Sequence, residues 1–144
     1  MRTRLPHQQI GFSLLGVLVA VVLAAILSAL AIPSYQSHLA KTRRHTGQSA
    51  LLVLAQHMQR VYTDRGSYTP DGDPPDLPLD IAQIRDAQLY YSLALTDATS
   101  QSFVLRATPR GRQAADGILE LTNTGQRRWD ADNNGSITNQ ERHW

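Results

Sequence analysis

The residues best suited to chemistry lie near the end of the sequence, in the run Asp130-Ala131-Asp132-Asn133-Asn134-Gly135-Ser136-Ile137-Thr138-Asn139-Gln140-Glu141. Side-chain oxygens alternate along it, a glycine stands sixth and a glutamate twelfth. Oxygen-rich loops of this spacing wrap calcium, a hard cation that takes about 6–8 oxygen ligands. The pattern predicts ligation by the side chains of Asp130, Asp132, Asn134 and Glu141, a backbone carbonyl from Ser136 and a water held by Thr138. Magnesium suits such a loop poorly, because it demands a smaller octahedral shell and keeps its waters. Asp, Asn and Gly in this density also make a solvated turn, so composition leaves both readings open. A full helix–loop–helix unit is not expected, since three residues follow Glu141.

Little else in the sequence suggests catalysis. His7, His38, His45, His57 and His143 form no His-Glu-x-x-His pattern and no helical ligand pair with a carboxylate. No serine sits in a Gly-x-Ser-x-Gly elbow, and no glycine run resembles a phosphate cradle. The absence of cysteine excludes a disulfide framework, a thiolate metal site and a cysteine nucleophile. We therefore read no enzyme. The formal charge is +2, but setting aside Arg2 and Arg4, which precede the apolar segment, leaves 12 basic against 12 acidic residues. Charge alone gives no strong case for nucleic acid.

The elements that must position these residues are legible from periodicity. Phe12 to Ile32 is 21 residues without a charge, long enough to cross hydrocarbon as a helix. It exceeds the roughly 7–15 residues of a secretory apolar region and continues into a helical pattern. Leu51, Leu54, Met58 and Val61 then recur at helical spacing, with Gln48, Gln56, Gln59 and Arg60 elsewhere on the wheel. The reading is one helix over 12–62, with a membrane or filament-core half at 12–32 and an amphipathic half at 33–62. Pro33 is expected to kink or loosen it rather than end it. Lys41, Arg43 and Arg44 follow the apolar segment, where they face lipid headgroups, a partner carboxylate or water.

Residues 63–144 then form a head. A Gly/Pro-rich loop spans Asp64 to Asp80 and a helical turn is expected over Ile81–Ala87. Strands are expected at Leu89–Leu95, Ser102–Thr108, Gly117–Thr122 and Gln126–Trp129. Phe103, Leu105 and Ala107 alternate with Arg106 and Thr108, giving the sheet one apolar face for the Leu51–Val61 stripe to cover. The fold class is α+β: a long N-terminal helix packed on a small antiparallel sheet.

Gly11-Phe12-Ser13-Leu14-Leu15 opening the apolar helix, after a short leader with Arg2, Arg4 and His7, resembles the processing site of type IV prepilins. Pro33-Ser34-Tyr35 falls where that family commonly has a proline and a tyrosine. Ala50-Leu51-Leu52, Gln59 to Tyr62, Arg65-Gly66-Ser67-Tyr68, Tyr90 to Leu93 and Gly117 to Leu121 look like a minor-pilin subfamily. The resemblance implies removal of residues 1–11 by prepilin peptidase at the Gly11–Phe12 bond and methylation of Phe12. It also implies a single-pass inner-membrane protein that an assembly platform packs with other pilin subunits into a filament, its head periplasmic or extracellular. The work of such a filament is adhesion, twitching motility or DNA uptake.

Two departures stand out. Gly16 occupies the fifth mature position, where most pilins carry a glutamate that meets a neighbour's amino terminus, and the C-terminal cysteine pair is missing. Glycine supplies no charge, and a buried ammonium without a partner is costly. The resemblance therefore implies a minor subunit that initiates, caps or modifies a pilus. A pseudopilin of a type II secretion system, which shares the leader and helix and uses calcium in its head, is the alternative. A subfamily containing a DNA-uptake receptor adds a second alternative, in which Arg106, Arg110, Arg112, Arg127 and Arg128 line a basic edge against DNA phosphates.

Overall fold

The computed structural model describes residues 14–138, 141 and 144; the expected processing residues Gly11 and Phe12 lie outside them. The first helix, α1, runs Leu14–Arg65 with Pro33 inside it, so the proline does not end the helix. It passes through two units that divide between His38 and Leu39.

In the first unit the helix is apolar on every side as far as Ile32. Leu14, Leu18, Leu23 and Leu30 are 89%, 61%, 55% and 72% exposed, and the stretch is long and apolar enough to cross a membrane. A helix without a polar face needs lipid or other apolar helices around it.

The second unit has its own core. Along its part of α1, Ala50, Leu51, Leu54 and Met58 line one face at spacings of three and four, and each is fully buried. A short helix α2 (Ala82–Gln88) precedes four strands: β1 (Tyr91–Ala98), β2 (Phe103–Pro109), β3 (Leu119–Thr122) and β4 (Arg127–Trp129). They pair antiparallel in sequence order, the arrangement that short turns favour. Alternation turns Tyr91, Leu93, Phe103, Leu105, Ala107, Leu119 and Leu121 into the core that α1 covers. Gly47 makes the approach close, because a Cβ there would lie 3.0 Å from the Tyr91 ring. Tyr68 pins the Gly/Pro-rich loop by packing edge-on against Phe103, with ring centroids 4.9 Å apart.

The differences from expectation are local. Helix α1 continues three residues beyond Tyr62, to Arg65, and Gly66, with φ +69°, ends it. Strand β1 starts at Tyr91 rather than Leu89, because Leu89 and Tyr90 close α2 through bonds to the Asp86 and Ala87 carbonyls. Its register then shifts between Leu95 and Asp97, a bulge that carries the strand on to Ala98. Gln48, expected on the polar side of the helix, is buried, with Oε1 2.8 Å from Nδ1 of His45.

Candidate functional site

The loop after β4 is anchored where it leaves the strand. Asp130 donates its backbone N–H to the Ile118 carbonyl (2.9 Å), and Trp129 donates its indole N–H to the Asp116 carbonyl (2.6 Å). Arg44 of α1 lies over the Trp129 ring at 3.5 Å and forms a two-pronged ion pair with Asp116. The partner of this helix cation is thus a carboxylate of the same chain. Tyr91 donates its hydroxyl proton to Asp116 as well (2.8 Å), and Gln113 donates to both the Tyr91 oxygen and the Ala40 carbonyl. Burial first, and then the Asp116 carboxylate, pushes the Tyr91 phenol well above its ordinary pKa.

Within the loop, Asp130 is fully buried, and its two carboxylate oxygens accept the backbone N–H groups of Asn134 (3.0 Å) and Gly135 (2.9 Å). Asp132 accepts the Asn134 N–H at 3.1 Å, and the Asn134 side-chain oxygen accepts the Ser136 N–H at 2.7 Å. Glu141 closes the ring by accepting the Ala131 N–H (3.1 Å) and the Thr138 N–H (2.9 Å). Gly135, with φ +82°, makes the turn.

Three of the sequence-predicted ligands, Asp130, Asp132 and Glu141, place carboxylate oxygens within 4.8 Å of one another. Among the described residues no basic side chain forms a salt bridge with any of them. Hard, anionic oxygen donors so gathered could hold a hard divalent cation but suit a soft metal poorly.

The five arginines are dispersed. Arg106, Glu120 and Arg128 stand directly opposite one another on β2, β3 and β4, on the sheet face turned away from the core. Arg106 donates Nε–H (2.9 Å) and Nη2–H (2.6 Å) to one oxygen of Glu120, while Arg128 lies 3.8 Å from the other. Arg127 belongs to the opposite face of β4 and lies over the Trp144 ring at 5.2 Å. Arg110 and Arg112 are exposed at the short helical turn Gly111–Gln113 that follows β2. Instead of one basic edge, the head carries a guanidinium pair with an embedded carboxylate and separate outlying charges. Sequence reasoning overlooked Glu120, although its place in a strand between Leu119 and Leu121 already put it on the face opposite the leucines.

With this geometry in view, comparison with known families is decisive. Residues 33–122 match the family described as "Type IV minor pilin ComP, DNA uptake sequence receptor". The chain belongs to this family. Residues 6–32 match the prokaryotic N-terminal methylation motif, so this minor pilin carries the processing signal of type IV prepilins, the span that includes Gly11 and Phe12. Among solved structures, the non-core minor pilin PilV of Neisseria meningitidis is similar, with 24% identity and a TM-score of 0.53. The match covers 72% of this chain and 93% of that one, and it shows a shared fold. No curated protein sequence matches the chain. The family resolves the choice between pilus and secretion pseudopilus in favour of the minor type IV pilin.

Proposed function

We propose that this minor pilin serves DNA uptake, with its head contacting duplex phosphates through arginine side chains and its C-terminal loop tied by calcium. The observation that carries the reading is the match to a family described as a DNA uptake sequence receptor, whose matched span includes Arg106, Arg110 and Arg112. Guanidinium groups suit this work, since they stay charged and offer a planar fork of donors to phosphate oxygens. Arg110, Arg112 and Arg127 are exposed, and Arg128 is half-buried on the outer face of the sheet beside Arg106.

In the loop, Asp130, Asp132, Asn134 and Glu141 would hold calcium by side-chain oxygens, with the Ser136 carbonyl and a water on Thr138 completing the shell. The ion supplies the positive charge that three gathered carboxylates otherwise lack. Asp130 orients the loop through its two backbone N–H bonds. In a head without disulfides, this closure orders the segment after β4.

Before assembly the chain sits in the inner membrane as a single-pass precursor, cut between Gly11 and Phe12 by prepilin peptidase. The assembly platform then passes it to a filament of other pilin subunits, with the head on the periplasmic or extracellular side. Gly16 keeps its copy number low, because each repeated shaft position would bury an amino terminus opposite an absent carboxylate. Quantitative mass spectrometry of sheared filaments is expected to find it far below the major subunit; parity would overturn the assignment to initiation, capping or modification.

The test of the DNA reading is fluorescence anisotropy of a labelled mixed-sequence duplex against the full chain in detergent micelles. Affinity is expected to fall steeply with salt, with a slope of about 0.9 per phosphate neutralised. Arg110→Ala and Arg112→Ala should each reduce that slope by about 1. Absence of binding at low salt would overturn the reading.

A further inference from the structure

We infer that Glu120 is a positioning residue for anion recognition, holding Arg106 and Arg128 as a preset pair of phosphate-binding guanidiniums on the outer face of the sheet. The inference rests on the reading that the head binds DNA.

Glu120 is only 5% exposed although it lies on the face turned away from the core. A buried carboxylate is costly unless paired. Here the pairing comes from both neighbouring strands, because Arg106 and Arg128 are its register partners on β2 and β4. Arg106 spends Nε–H and one Nη2–H on Glu120, which leaves three of its five N–H donors for a second acceptor. Its side chain remains 41% exposed, and that of Arg128 35% exposed. Arg128 is steadied further by donating to the Gln126 side-chain oxygen at 2.8 Å.

The trio keeps one net positive charge. Thr96, Val104 and Ile137 help wall the open cleft in which it sits, and the exposed Asp97 also borders it. Arginines fixed before the ligand arrives lose less side-chain freedom on binding than free ones. Duplex phosphate fits this chemistry best, since bidentate guanidinium donors match its oxygens and the family match already points to DNA.

The experiment is the same anisotropy titration over a salt series, with the full chain in micelles and a labelled mixed-sequence duplex. Glu120→Gln adds one net positive charge and removes the anchor, so it would tighten binding if Glu120 acted only as a repelling charge and weakens it if Glu120 positions the arginines. As a positioning residue, its replacement weakens binding and lowers the salt slope by about 1 to 2, the loss of one or both phosphate contacts. Arg106→Lys keeps the charge, loses the fork and weakens binding in the same way; it decides the matter if Glu120→Gln fails to fold. Asp97→Asn should tighten binding, because it removes a carboxylate from the cleft.

Binding by Glu120→Gln or Arg106→Lys as tight as that of the unsubstituted chain, with an unchanged slope, would overturn the inference while the DNA reading stands. No duplex binding by the unsubstituted chain would overturn both. Self-association abolished by Arg106→Lys, without duplex binding, would instead assign the cleft to an acidic segment of a second copy and overturn the inference.

Discussion

Gly117 faces the backbone carbonyl of Asp130 so closely that a Cβ on residue 117 would sit 1.7 Å from that oxygen. Its φ of +85° is also one that side chains resist. The contact joins the start of β3 to the start of the acidic loop, and the Asp130 N–H bond to Ile118 lies beside it. Gly117→Ala is therefore expected to cost about 3 kcal/mol or more, as strain and overpacking combine. Gly125→Ala, at a similar φ but with open space around it, should cost only about 1 kcal/mol. Denaturant unfolding of the full chain in micelles, followed by tryptophan fluorescence, measures both; equal losses would refute the close-approach argument.

The ion pair between Arg44 and Asp116 should matter more than a surface pair, since the two side chains are only 17% and 6% exposed. Removing one partner leaves a buried charge, at a cost of about 3–5 kcal/mol. Arg44→Ala and Asp116→Ala are expected to destabilise the head by such amounts, and the double variant by clearly less than their sum. The same unfolding assay closes the cycle, and strict additivity would show that the pair is not coupled.

Tyr91 carries an alkaline signature. Its folded pKa is raised above the ordinary value of 10.0, so the folded state keeps the phenol proton while the unfolded chain gives it up. Between those two values the native state binds more protons, and stability falls as pH rises. The contribution is complete below about pH 10 and disappears as pH climbs through the folded pKa. Tyr91→Phe should flatten the decline above pH 10 in a pH series of denaturant midpoints. It should also cost about 0.5–1.5 kcal/mol at neutral pH for the lost bond to Asp116. An identical alkaline slope in both proteins would assign the effect elsewhere.

Calcium should raise the unfolding midpoint of the full chain in micelles, and excess chelator should reverse the rise. Extracellular loops of this kind bind in the range of about 10⁻⁴ to 10⁻³ M. At about 100 times the dissociation constant the gain is about 2.7 kcal/mol. Asp132→Asn tests the site with little damage to the loop, because Asp132 is exposed and bonds only within the loop. Its midpoint should respond weakly to calcium. A midpoint insensitive to calcium in the unsubstituted chain, with no heat in titration calorimetry, would leave a polar turn held by its own hydrogen bonds.

Sequence alone determined what depends on local periodicity and composition. The uncharged run after Gly11, the three-and-four spacing of Leu51, Leu54 and Met58, and the alternation of Phe103, Leu105 and Ala107 each follow from the geometry of one element. Gathered side-chain oxygens within one short loop are likewise a local matter, so Asp130, Asp132 and Glu141 could be named together before any fold was known.

Tertiary structure decided the partnerships between distant residues. Arg44 reads as a solvated charge until Asp116, 72 positions later, is brought beneath it by the packing of α1 on the sheet. Arg106 and Arg128 read as a basic edge until strand register sets Glu120 between them. Register and helix seating are collective outcomes of core packing, and one residue's shift in pairing would send every side chain to the other face. No local pattern encodes which carboxylate then meets which guanidinium.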